Sequence, residues 1–119
     1  LNIARSNKWI FITNVLKRTF PEGISVEIIK VSHLKEKIAF FDKYEQEHVM
    51  PYFYRNLIED EIFNYYNTGK DLSVFKLALD TKKDFLFLSS ICDLMEKSHS
   101  AYYIDDIIKI IKVNKLSHG

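Results

Sequence analysis

The chain has 119 residues, 47% of them hydrophobic and 28% charged, with 17 Lys+Arg against 16 Asp+Glu and a net charge of +1. That length and balance suit one globular domain with a modest core. A near-neutral charge and scattered basic residues lack the footprint of a binder of nucleic acid or an anionic membrane. The single cysteine, Cys92, leaves no intrachain disulfide and no thiolate zinc site. With no signal peptide and no apolar run near ~18 residues, the chain reads as soluble and cytoplasmic. It opens LNIARSNKW, without a methionine, as processing, deliberate truncation or a missing beginning would each explain.

In chain order, WIFITNV (9–15) is apolar and β-branched, as a largely buried strand should be. RTFPEG (18–23) is a turn, and SVEIIKV (25–31) a second strand with Val26 and Ile28 on one face and Glu27 and Ile29 on the other. Ser32 is a candidate N-cap for a helix over 33–44 carrying Leu34, Ile38 and Phe41 at helical spacing. In EQEHVMPYFYRN (45–56), a helix puts His48, Tyr52 and Arg55 on one face and Val49, Phe53 and Leu57 on another. Pro51 demands that such a helix begin close to His48. A strand would instead group His48, Met50, Tyr52 and Tyr54; the helix is preferred.

EIFNYY (61–66) is a candidate strand and NTGKD (67–71) a loop, while SVFKLALD (73–80) alternates as a strand does. Thr81 and Asp84 form a capping box for a helix over 81–97, with Phe85, Leu88, Cys92 and Met95 on one face. IDDIIKIIKVN (104–114) has a stripe of Ile104, Ile107, Ile108 and Ile111. Strands alternating with amphipathic helices predict an α/β layered domain with a largely parallel sheet.

Two carboxylates stand out by position. Asp80 lies at the carboxyl end of a predicted strand, the edge where open α/β sheets bind ligands. It suits Mg²⁺, which takes one or two carboxylates plus phosphate oxygens. Capping of the helix at Thr81 is the plainer alternative. Glu27 falls in an otherwise apolar strand, where a charge is costly unless it is paired or faces a cleft. It reads as an acceptor for ligand hydroxyls or as an edge residue in water. His48 and Tyr52 are candidate donors to an anionic ligand, and Arg18 and Arg55 candidate phosphate or carboxylate binders. Lys82 and Lys83 sit in a helix first turn, where the dipole disfavours cations. Cys92 reads as core, and His33, His99 and His118 show no ligand spacing. There is no Gly-rich phosphate loop, nucleophile elbow, HExxH or CxxC.

Taken together, FITNVLKRTFPEGISVEII (11–29), EHVMPYFYRN (47–56) and LALDTKKDF (77–85) resemble the second half of cytidylyltransferase-type proteins. That group includes the spore coat polysaccharide biosynthesis protein F type and is related to acylneuraminate and ketodeoxyoctonate cytidylyltransferases. Its shape is TxPxGxxVEV, then EHVTPYxYR, then LTLDTPEDF before a long helix. YYIDDIIKIIK (102–112) is similar to its closing helix.

The resemblance implies the C-terminal portion of a Rossmann-like nucleotide-diphospho-sugar transferase fold, with residues 1–119 as a single domain within a larger catalytic one. It implies a nucleotidyltransferase that makes a CMP-activated acidic or modified sugar from CTP, with Mg²⁺ and release of pyrophosphate, for surface polysaccharide or glycan biosynthesis. Asp80 falls on a metal-binding aspartate of the family and Glu27 on the glutamate lining the sugar side. His48, Tyr52 and Arg55 fall near the acceptor site.

Ser25 departs from a common aspartate, Met50 from a threonine, and Lys82 and Lys83 from Pro-Glu. The family's phosphate loop, base-recognition residues and first metal aspartate have no counterpart in these residues, so the chain alone is expected not to turn over. Competing expectations are a non-catalytic module that self-associates, as a homodimer for instance, or binds a partner chain, and a glycosyltransferase fragment.

Overall fold

The computed structural model describes residues 2–6 and 8–118. They fall into two compact units, Leu1–Val74 and Phe75–Gly119.

The first unit is built on a three-stranded sheet of order β2-β1-β3, preceded by a short helix α1 (Asn2–Arg5). β1 (Phe11–Thr13) pairs antiparallel with β2 (Glu27–Ile29) and parallel with β3 (Ile62–Asn64). The sheet is therefore mixed, not largely parallel. The chain reverses through the turn around Pro21 and Gly23 and returns as an antiparallel neighbour, and the helices between β2 and β3 carry it back so that β3 runs parallel to β1. Gly23 has φ 96°, a conformation that side-chain-bearing residues rarely adopt.

Register puts Phe11 opposite Ile29 and Ile62, and Thr13 opposite Glu27 and Asn64. One sheet face thus carries an apolar row at the start of β1 and a polar row at its end. Over the apolar row pack α2 (Val31–Lys37) and α4 (Met50–Asn56), with α3 (Lys43–Glu47) between them in the chain. The core is Phe11, Phe41 and Phe53, with Leu34, Val49, Met50 and Leu57 against it. Pro51 falls in the first turn of α4, where its missing N–H has no intrahelical acceptor to lose.

Three expectations for this unit are corrected. No helix runs over 33–44: α2 ends at Lys37, a 3₁₀ turn covers Ile38–Phe40, and Asp42 starts α3. Asp42 and Glu45 form a reciprocal capping box, with bonds of 2.8 and 2.9 Å. That local alternative outcompetes a continued helix. Ser32 is not the cap, because α2 begins two residues earlier than expected, with Lys30 at the N-cap. His48 is the C-cap residue of α3, two residues before α4, so it shares no helical face with Tyr52.

The second unit contains α5 (Lys82–Asp93) and α6 (Ile104–Val113), with a 3₁₀ turn at His99–Ala101 between them. Residues 73–80 form no strand. Alternation supplies a face but no ladder, and a strand needs a neighbour's N–H and C=O groups. The Thr81–Asp84 capping box forms as expected. The buried side of α5 is Asp84, Phe87 and Ile91, not Phe85, Leu88 and Cys92, and Cys92 is exposed. Both stripes are apolar enough to serve; the polar anchor at Asp84 decides the rotation. On α6 the expected stripe holds, with Ile108 and Ile111 buried. No helix among the described residues is long and apolar enough to cross a membrane.

Candidate functional site

The polar row at the carboxyl end of β1 is the best-organised constellation in the first unit. Glu27, Thr13 and Asn64 stand side by side across the sheet, and Tyr54 reaches them from α4. The Tyr54 hydroxyl donates to Glu27 Oε1 at 2.6 Å and lies 2.6 Å from Thr13 Oγ1. A carboxylate only accepts, so the Tyr54 proton points to Glu27 and the Thr13 hydroxyl donates to the Tyr54 oxygen. Thr13 Oγ1 in turn accepts from the Val15 amide at 2.9 Å. The relay therefore runs Thr13 to Tyr54 to Glu27, with every donor direction determined.

Burial, the hydrogen bond to Glu27 and the Glu27 charge push the Tyr54 phenol above its usual range, outweighing Thr13 and the Arg18 guanidinium. Tyr54 stays protonated and holds one Glu27 oxygen. The other, Oε2, has no protein partner among the described residues. A carboxylate fixed by one oxygen and open at the other is suited to accept a ligand hydroxyl. Arg18 lies close enough to act on Tyr54, and donates to the Pro21 carbonyl at 3.2 Å and Ser25 Oγ at 3.3 Å. Asn14 clamps the β1–β2 turn from both sides, donating to the Ile24 carbonyl and accepting from the Val26 amide.

The three remaining candidates of this unit do not join the row. His48 lies by the Tyr44 ring, 4.8 Å between centroids, and 4.0 Å from Glu47. Tyr52 packs on Phe41 at 4.8 Å. Arg55 pairs with Glu45, whose carboxylate is buried, and so neutralises a charge that the fold has taken out of water.

In the second unit, Asp80 is largely exposed and its carboxylate meets Lys76 Nζ at 3.0 Å. Lys76 also bonds Asp84, 3.1 Å away and only 1% exposed. Asp84 further accepts from the Thr81 hydroxyl and the amides of Asp80 and Thr81, and pairs with His118. Burial pushes the Asp84 carboxyl up, but the bonds from Thr81, Lys76 and His118 outweigh it and hold it well below the usual carboxylate range. Lys76 is shifted the other way by the same two carboxylates, above its ordinary value. Among the described residues no group of three potential metal ligands converges. Asp80 thus presents a single carboxylate, paired with Lys76.

Sequence reasoning passed over Tyr54, Thr13, Lys76 and Glu45. Asp42 and Glu45 carried a legible signal, since D-x-x-E is a capping pattern. His118 carried none, being 34 residues from its partner.

The polar row lies at the carboxyl ends of the parallel pair β1 and β3, the edge at which α/β sheets bind ligands. The structure is similar to that of a cytidylyltransferase from Leptospira borgpetersenii serovar Hardjo-bovis (strain JB197), with a TM-score of 0.83 and 30% sequence identity. The likeness covers 95% of this chain and 47% of that one, so the chain spans about half the length of the protein it matches. The cytidylyltransferase resemblance carried by the three sequence motifs is therefore present in three dimensions as well. No family model and no curated protein matches the chain.

Proposed function

We propose that this chain is the acceptor-sugar and metal-binding half of a nucleotidyltransferase that makes a CMP-activated acidic sugar from CTP for surface polysaccharide or glycan biosynthesis. The observation that carries the reading is the Glu27–Tyr54–Thr13 relay, set where β1 and β3 end and β2 begins, in a fold similar to a cytidylyltransferase.

In this reading Glu27 accepts a hydroxyl of the acceptor sugar through its open oxygen. Tyr54 and Thr13 fix its orientation before the substrate arrives, and preorganisation of this kind lowers the cost of binding and of reaction. Arg18 supplies the cationic group for an acidic sugar, and His48 a donor at the margin. Asp80 would hold Mg²⁺, whose contribution when bound is to neutralise charge on phosphate oxygens. Lys76 balances the Asp80 charge otherwise. Tyr52 and Arg55 act through packing and through Glu45.

The test is pyrophosphate release from CTP, Mg²⁺ and a panel of acidic sugars, assayed on the full product of the reading frame that encodes these residues. Glu27→Gln should lower kcat/KM about 10- to 100-fold, the worth of one hydrogen bond to a charged group. Full activity in that variant removes Glu27 from the site. Absence of pyrophosphate with every acidic sugar removes the reading itself.

A further inference from the structure

A cavity of about 320 Å³ in the first unit is separate from the polar row described above. Its lining includes His33 and Lys37 from α2, Tyr52 and Asn56 from α4, and Glu61 just before β3. Glu61 precedes Ile62, which pairs with Phe11 at the start of β1, while Glu27 pairs with Thr13 at its end. The cavity therefore lies toward the opposite end of β1 from Glu27, and what it binds is independent of the acceptor-site reading.

Its polar groups are left available. Among the described residues, Lys37 makes no ion pair, and the Tyr52 hydroxyl and His33 ring nitrogens make no hydrogen bond. Lys37 and Glu61 line the same space without forming an ion pair with each other. Glu61 is held in place, since one of its oxygens accepts the Ile58 amide at 3.1 Å. The Asn56 amide nitrogen is tied to the Tyr52 carbonyl at 2.7 Å, which leaves its oxygen as an acceptor. The walls are firm: the His33 and Tyr52 rings both rest on the buried Phe53, at 5.9 and 5.3 Å. The size reaches the lower end of small-molecule pockets, and a few convergent polar groups on an apolar floor are their usual chemistry.

We propose that this groove between α2 and α4 binds a small hydroxylated carboxylate. Lys37 meets the carboxylate, assisted by the His33 imidazole and the Tyr52 hydroxyl, while Glu61 and the Asn56 oxygen accept hydroxyl groups. A bare oxyanion uses Lys37 but leaves Glu61 facing a like charge, so the carboxylate must carry hydroxyls to be preferred.

The experiment titrates the intact chain with glycerate and, separately, with inorganic phosphate, following the ring protons of the four histidines by NMR. His33 should shift with glycerate at millimolar concentration while His99 does not. Lys37→Met should weaken glycerate at least about tenfold, and Glu61→Gln should narrow its advantage over phosphate. Both side chains are partly solvated, and unchanged far-UV circular dichroism will show that each variant is folded. No His33 shift with glycerate, phosphate binding as tightly as glycerate, or an unaltered affinity in Lys37→Met each overturns the proposal.

Discussion

Tyr54 shows how much one hydroxyl can organise. It joins Glu27, 27 residues away, to Thr13, 41 residues away. Tyr54→Phe keeps the ring on Phe11 but strands two polar partners, and should destabilise the chain by about 1–2 kcal/mol in urea denaturation. The same residue sets a pH dependence. Its pKa is raised from the ordinary 10.0, so the folded chain holds the proton more tightly than the unfolded chain. The resulting stabilisation is complete below pH 10 and is lost as pH rises beyond it. Stability measured between pH 9 and 11 should therefore fall more steeply in the parent chain than in Tyr54→Phe. Equal slopes would remove Tyr54 as the cause.

Arg55 makes a second residue-scale case. Its partner Glu45 is 5% exposed, so Arg55→Met leaves a buried carboxylate without its cation. The guanidinium is more than half exposed, which moderates the loss to about 1–2 kcal/mol. Adding Glu45→Gln to Arg55→Met should recover part of it, and a double-mutant cycle measures the coupling.

At the scale of elements, caps and anchors decide where helices start and how they turn. Thr81→Ala removes the acceptor for the Asp84 amide and should cost about 1 kcal/mol, seen as a lower thermal midpoint in far-UV circular dichroism. The α6 stripe is ordinary apolar packing. Ile111→Ala should cost about 2–4 kcal/mol by cavity formation, while Val113→Ala, at an exposed position, should cost little.

At the scale of the whole molecule there are two compact units, and Trp9 is the single tryptophan and lies in the first. Phe53→Ala, which empties the centre of the Phe11–Phe41–Phe53 core, should shift the Trp9 fluorescence transition by about 3–5 kcal/mol. A smaller effect than that of Tyr54→Phe would mean that the first unit is held by its polar row more than by its core.

What the sequence by itself determined is local. The helix restart at Pro51, the capping box at Thr81 and the isoleucine stripe of α6 each follow from neighbours within about one turn of chain, where spacing and backbone chemistry suffice. The three motifs also carried the cytidylyltransferase likeness. Only the tertiary structure decided that Glu27 meets Tyr54, that the buried face of α5 is the one carrying Asp84, that Arg55 serves Glu45, and that 73–80 is not a strand. Those outcomes depend on which strand lies beside which and in what register, and on where a distant donor such as His118 arrives. A partner brought in from tens of residues away leaves no periodic trace in the stretch that receives it.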